Sequence, residues 1–520
     1  MSFNQFRTNP GGSVSKFKGR TETPRAWPGT AVSTWMNSAL FSGGSRQGWI
    51  AYIYEGTYQY ETFGGGAVDD DDNIYCVGRN NLGYTTLWKL EGGDAPGIIA
   101  RSTQDSNSSW IDMKNCAVRQ SDDAIAGTGM GSNGKNGVVA SWPTVTATGQ
   151  NTFNRQGRRD YTQVGANQNS NEDTMNRVQN INQAKNAAGD ASFVSFAWTN
   201  KNSSYQPQWG AQNQQGSEMY AGDGHGFYGD ANSGYISRSY YYHPLDRYYI
   251  TGMDAGKSNW VGWGRKYSDS TTRSMLKYAR PGVGLGAYRM FWTPSAPIGS
   301  VHYGYLIGSS NATGHKGIEI CKVKAANDMT EDGVIQWSKC LTGSNVNDAN
   351  HARFWLNAQP VSDSDGNAYF NLTYYSDGDA KYHNSISKVS PSGVLLWCND
   401  LMFDTGSASD YEAVPRQMEI NSFGDIIVSG VATLPTVGGS AQKRGYVARL
   451  SSDGGGTGAQ ITLPAGNKIQ YTPNTELGLI TSNMAKVYNG NDANLGNPGS
   501  GNFSNTPTSI TAGTMQSTLL

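Results

Sequence analysis

The chain has 520 residues, 37% of them hydrophobic and 16% charged, with 40 basic residues against 41 acidic ones and a net charge of -1. That charged share falls short of the roughly 25% usual in soluble domains, and the balance carries neither the basic footprint of a nucleic-acid binder nor a membrane-surface patch. No stretch reaches the roughly 18 apolar residues of a membrane-spanning helix, and the 66 glycines fit a chain rich in tight turns.

Residues 1–47 set Arg7, Lys16, Lys18, Arg20, Arg25 and Arg46 against one acid, Glu22. Pro10, Gly11, Gly12, Pro24, Pro28 and Gly29 interrupt any helix or strand there, so the segment reads as an extended basic arm. Trp27, Trp35, Met36 and Phe41 would anchor it to the body or to a neighbouring subunit. Its first ten residues lack a charged region leading into an apolar core, so no cleaved export signal is expected.

From residue 48 onward one grammar recurs. A Gly/Asp/Asn turn leads into an aromatic and β-branched strand, and a second strand ends in Lys or Arg beside an apolar residue. It reads Asp70-Asp-Asp-Asn-Ile-Tyr-Cys-Val-Gly78 with Leu87-Trp-Lys-Leu90, then Asp363-Ser-Asp-Gly-Asn-Ala-Tyr-Phe370 with Ser385-Ile-Ser-Lys-Val389. A third unit is Phe423-Gly-Asp-Ile-Ile-Val-Ser-Gly430 with Tyr446-Val-Ala-Arg-Leu450. Two echoes are closer still: Gly333-Val-Ile-Gln-Trp337 and Gly393-Val-Leu-Leu-Trp397, each behind a turn. Cys76, Ile125, Val194, Ile250, Leu306, Phe370 and Ile427 mark the strand centres, at gaps of 49 to 69 residues. A period of that size, filled by four short strands and long surface loops, predicts an all-β fold, a β-propeller of about seven blades over residues 48–462. Trp337 and Trp397 would anchor the packing between blades.

Departures from the strand pattern are few. Residues 174–185 hint at a short helix, and Arg155-Gln-Gly-Arg-Arg159 reads as a solvated basic loop. Tyr240-Tyr-Tyr-His-Pro244 with Tyr248-Tyr249 reads as a blade strand with rings on both faces, although rings such as Tyr241 and Tyr248 could stack sugars. Residues 463–520 form an extended tail, and its last part, 493–520, contains no charged residue. Such a tail has little core of its own and is expected to add as a strand to something else, another subunit included.

Chemical motifs are scarce. Asp69-Asp-Asp-Asp-Asn73 and Asp363-Ser-Asp-Gly-Asn367 read as hairpin turns, and the second lacks the downstream Glu of a calcium loop. Cys76, Cys116, Cys321, Cys340 and Cys398 are scattered and unpaired in sequence, which points to buried thiols. His225, His243, His302, His315, His351 and His383 show no metal-ligand spacing, and Gly222-Asp-Gly-His-Gly226 would need a second ligand cluster to hold a metal. Gly256-Lys257-Ser258 ends like a phosphate-binding loop, but Thr251 stands where that loop needs its first glycine. No catalytic, cofactor or metal residue is assigned, and no enzyme and no cofactor are expected.

The Gly-x-x-x-Trp strands at Gly333–Trp337 and Gly393–Trp397 resemble the repeats of quinoprotein-like propellers, but the adjacent cysteines of many of those enzymes are missing here. The whole chain is more similar to the propeller-containing tail proteins of tailed bacteriophages. Asp363-Ser-Asp-Gly-Asn-Ala-Tyr369, the long uneven blades and the uncharged C-terminal tail carry that resemblance. It implies a structural virion component made in the host cytoplasm, such as a nozzle, hub or fibre-attachment protein, with both arms as connectors and no nucleic-acid or membrane partner. Its partners would be other virion proteins and copies of itself. The alternatives are a carbohydrate- or receptor-binding propeller facing a host glycan, and a quinoprotein-like or hydrolytic propeller enzyme.

Overall fold

The computed structural model describes residues 36–41, 48–53 and 61–488, the last with several connecting segments left out. Its first strands, β1 (Met36–Phe41) and β2 (Gly48–Ile53), join a sheet completed only near the end of the chain. Blade 1 holds β3 (Glu61–Val68), β4 (Ile74–Asn80), β5 (Thr85–Glu91) and β6 (Gly97–Thr103). Blade 2 holds β7 (Ile111–Arg119), β8 (Ala124–Gly131), β9 (Gly137–Trp142) and β10 (Gly157–Tyr161). Blade 3 is β11 (Arg177–Lys185), β12 (Ala191–Lys201), β13 (Ser204–Gln212) and β14 (Glu218–Gly222). Blade 4 is β15 (Tyr235–Tyr242), β16 (Arg247–Met253), β17 (Trp260–Lys266) and β18 (Arg273–Ala279). Blade 5 is β19 (Met290–Ile298), β20 (Val301–Ala312), β21 (His315–Ala325) and β22 (Ile335–Thr342).

Blade 6 contains β23 (Val346–Asn347), β24 (Val361–Ser362), β25 (Ala368–Ser376), β26 (Lys381–Val389) and β27 (Leu395–Asp404). Blade 7 takes β28 (Ala413–Ile420), β29 (Ile426–Pro435) and β30 (Ala441–Leu450), and β2 and then β1 pair onto β30 to finish it. The last strands are β31 (Ala459–Thr462), β32 (Lys468–Pro473), β33 (Gly478–Thr481) and β34 (Ala485–Tyr488), and they lie on the outer edges of earlier blades. The described strands therefore make seven sheets, all with antiparallel neighbours. The innermost strands touch in an unbroken circuit, β3 to β7, β11, β15, β19, β24, β28 and back to β3. The protein is a β-propeller.

Each of the seven strand centres read from the sequence lies in the second strand of a different sheet. Alternation along a strand explains why both faces are apolar. On β30, Tyr446, Ala448 and Leu450 pack with Tyr369, Ile386 and Leu401 of blade 6, while Val447 joins Trp88 and Leu90 of blade 1. In blade 5, Met290, Trp292 and Leu306 face blade 4, and Phe291, Tyr305 and Ile307 face blade 6. A small sheet buried on two sides cannot stand alone, and its neighbours supply the missing core.

Two expectations fail locally. The helix expected over 174–185 is the strand β11, and its register slips between Val178 and Ile181. A bulge inserts extra residues into one strand and breaks the period-two alternation that marks a strand in a sequence. The basic run ending at Arg159 is not simply a loop, because Arg158 and Arg159 pair with Ala140 and Val139. Met36–Phe41, inside the expected basic arm, and residues 468–488, inside the expected tail, contribute strands to the blades. Residues 1–35 and 493–520 lie outside the described residues.

Candidate functional site at the propeller axis

Glycine opens the axis where the ring closes. On β3, Gly65 sits where a Cβ would come 2.5 Å from the Gln417 Oε1 and 2.6 Å from the Asn115 Cα. Gly66 has the same role against Ser429, whose Oγ would lie 2.5 Å away. Without those side chains, innermost strands of three blades can meet. Gln417 of β28 accepts from Gly66 N at 3.1 Å and Cys116 N at 3.4 Å, and its Nε2 donates to Cys116 O and to Glu419 Oε1, both at 3.0 Å. One amide thus ties blade 7 to blades 1 and 2.

Beside this crossing stand two groups of different character. Glu419 is half-buried, and its Oε1 is engaged by Gln417. Burial pushes the Tyr240 hydroxyl well up, with Tyr242 and then the charge of Glu419 adding to it, so blade 4 lies within electrostatic reach of blade 7's acid. Asn115 is 1% exposed, and neither its Oδ1 nor its Nδ2 has a hydrogen-bond partner among the described residues. A buried amide left in that state costs roughly 1–3 kcal/mol. Native structures carry few such groups, and each calls for an explanation such as a bound water or ligand.

A second polar cluster resembles catalytic machinery and is wired differently. In blade 6, His383 Nδ1 lies 2.7 Å from Asp400 Oδ2, and its Nε2 lies 3.1 Å from both oxygens of Asp379. Ser385 donates to Asp400, not to His383. Burial lowers the imidazole pKa, but bonding and charge from Asp400 and Asp379 outweigh it and raise the value to about 9. Both ring nitrogens face carboxylates, so no imidazole lone pair is left to activate the serine. The cluster is a clasp: Asn474 donates into it at Tyr374 Oη, Ser385 Oγ and Asp400 Oδ1, at 2.8–2.9 Å.

The residues singled out by sequence serve mostly as joints. Trp337 Nε1 donates to Pro391 O at 2.9 Å, and Trp397 Nε1 to Ser452 O at 3.1 Å, each in the next blade's third turn. Gly393 and Gly454, at positive φ, give room for those indoles. Trp49 makes the same bond to Gly93 O at 2.9 Å. A basic residue backs each one: Lys322 on Pro391 O, Lys388 on Ser452 O and Arg449 on Gly93 O. The Asp-rich segments organise turns, since Asp69 accepts from Asn73 and Tyr75, and Asp363 from Asn367 and Tyr369.

Tyr240, Tyr242 and Tyr249 are buried against Trp292, with Tyr249 stacked on it at 4.1 Å. Tyr241 and Tyr248 are register partners whose side chains lie outside the described residues. The five cysteines are buried free thiols; burial raises the pKa of each, to about 12 for Cys340 and Cys398. His302 bonds Tyr242 Oη at 2.8 Å, whereas His225, His351 and the segments 223–226 and 256–258 lie outside the described residues. Among the described residues no group of three His, Cys, Asp or Glu is placed to hold a metal ion. Gln417, Asn115 and Glu419 escaped the sequence reading. Their one local signal is the run Gly64-Gly65-Gly66, since glycine inside a strand marks a close approach.

No protein-family model matches the chain, and no curated protein matches it either. Solved structures do. The GH93 α-L-arabinofuranosidase of Fusarium graminearum in complex with arabinobiose is 9% identical, with a TM-score of 0.41 over 79% of this chain and 98% of its own. The subtype N11 neuraminidase-like protein of A/flat-faced bat/Peru/033/2010 (H18N11) is 10% identical, at 0.38 over 79% and 96%. The Nup133 β-propeller domain of Vanderwaltozyma polyspora is 11% identical, at 0.35 over 79% and 100%. Likeness at these identities speaks to the fold alone. The expectation that the chain is not an enzyme is nonetheless corrected, because enzymes, the arabinofuranosidase among them, stand among the structures it is similar to.

Proposed function

We propose that the chain is a saccharide-binding propeller that takes a neutral, hydroxyl-rich ligand at its axis. The observation carrying this reading is the buried amide of Asn115, which offers a donor and an acceptor with no partner among the described residues. Glu419, two residues along β28 from Gln417, adds a half-buried carboxylate whose Oε1 accepts from Gln417 Nε2. A donor, an acceptor and a carboxylate on neighbouring innermost strands suit adjacent hydroxyl groups. Glycosidic hydrolysis ordinarily needs two carboxyl groups flanking the bond, and Glu419 supplies one.

The test is a glycan array followed by calorimetry on the full chain, with Asn115→Ala and Glu419→Gln as variants. Each is expected to weaken binding at least about tenfold, equivalent to 1.4 kcal/mol. Asn115→Ala should not lower the melting temperature, because an unpartnered amide contributes nothing to lose. Failure of the full chain to bind any glycan, or variants that bind as well as it does, removes the reading. Release of sugar from the bound glycan extends it to catalysis.

A second reading is a structural component of a phage tail with the propeller as scaffold. It is favoured by the strands of residues 468–488 running over the outer edges of three blades and by the low charge of the chain. Counting copies in purified particles tests it: a ring-like number, about six or twelve per tail, is expected from closed symmetry, and absence from particles ends it.

A further inference from the structure

The last described strands climb the outside of the propeller against chain order. β32 pairs with β27 of blade 6, β33 with β22 of blade 5, and β34 with β18 of blade 4. All three pairings are antiparallel and fall on the outermost blade strand. The strands begin at Lys468, Gly478 and Ala485, so the segment advances one blade in ten and then seven residues. Side chains pin each step. Glu476 accepts from Ser376 Oγ at 2.9 Å, Ser338 Oγ donates to Ser482 O at 2.6 Å, and Lys486 Nζ donates to Asp332 O.

The next outer edge in this direction is blade 3. Its outermost strand, Glu218–Gly222, has no outer neighbour among the described residues, and the same holds for β10 and β6 of blades 2 and 1. Blade 7 already carries a fifth strand, β1. Residues 489–520 follow Tyr488, more than the described strap uses to pass two blades. Asp492 is their sole charged residue, and Pro498 and Pro507 divide them at nine-residue spacing, close to the step of the strap. Charges keep strangers off a strand edge, and this segment has almost none. Proline is tolerated at the ends of edge strands.

We propose that residues 489–520 carry the strap onward within the same molecule, adding a strand first to Glu218–Gly222 of blade 3. The inference is independent of any ligand at the axis. Hydrogen exchange on the full chain and on a chain ending at Tyr488 tests it. Amides of residues 218–222 are expected to exchange at least about tenfold faster in the shortened chain, and equal rates overturn the proposal. Should the shortened chain fail to fold, the full chain decides: a photoreactive benzoyl-phenylalanine in place of Phe503 is cross-linked in an equal mixture of light and heavy protein. Cross-links from the tail to blades 1–3 within light or within heavy chains are expected. Light-to-heavy cross-links would mean that the tail serves a second copy, and cross-links elsewhere on the chain would mean another path; either overturns the proposal.

Discussion

The seam between blades 6 and 7 and the seam between blades 7 and 1 use the same joint with different reinforcement. At the first, which the chain crosses directly, Trp397 and Lys388 share Ser452 O, and Lys388 also meets Asp363 at 3.3 Å. At the second, where blade 7 is built from both early and late strands, Trp49 takes Gly93 O, but the basic residue is Arg449, fully buried and paired with Asp425 at 2.8 Å. Gln417 and the Asp72–Ser422 contact are added there, with Ser422 N donating to Asp72 Oδ1 at 2.7 Å. The chain also runs from β2 of blade 7 into β3 of blade 1, but β28–β30, which form the rest of blade 7, lie far along the chain from blade 1. A junction between residues some 350 apart needs directional groups to fix its register, and a planar guanidinium serves that better than an ammonium.

Substitutions at the two seams test this contrast. Arg449→Ala leaves Asp425 buried without its cation and should cost about 3–5 kcal/mol, whereas Lys388→Ala at the other seam leaves Asp363 still bonded to Asn367 and Tyr369 and should cost about 2 kcal/mol. Equal losses in chemical denaturation would mean that the closing seam is not special. Trp397→Ala opens a cavity over Gly454 and should cost about 3 kcal/mol, the lower end for a large aromatic because the ring is only partly buried.

His383 tests the clasp. Its pKa is raised to about 9, so its contribution is fully present below the unfolded value of about 6.5 and fades as pH rises through 9. The loss should amount to about 1–3 kcal/mol. In His383→Gln that part of the pH dependence should vanish; an unchanged profile would show that the imidazole is not the titrating group. Smallest of all, Ser422→Ala removes one bond across the closing seam and should lower stability by about 1 kcal/mol, visible as a shifted denaturation midpoint.

The repeat was legible because each second strand alternates apolar residues under a Gly, Asp or Asn turn, from Cys76 to Ile427. The indole joints were legible too, since Trp337 and Trp397 stand at one place in two repeats. Other features were hidden for identifiable reasons. The bulge in β11 disguised a strand as a helix. Residues 468–488 form short strands of four to six residues whose partners lie 64 to 211 positions earlier, beyond any local pattern. The axial group is assembled from an asparagine and a glutamine 302 residues apart, uncharged side chains that composition treats as ordinary surface.

Because β1 and β2 complete a sheet whose other members lie within residues 413–450, the first strands emerge from the ribosome long before their partners exist. At about 5–20 residues per second, the delay is on the order of tens of seconds. Trp49, Ile50 and Ala51 spend that time without the neighbours that later bury them, so yield in a host cell should respond to translation speed and to chaperones that hold an early hydrophobic segment.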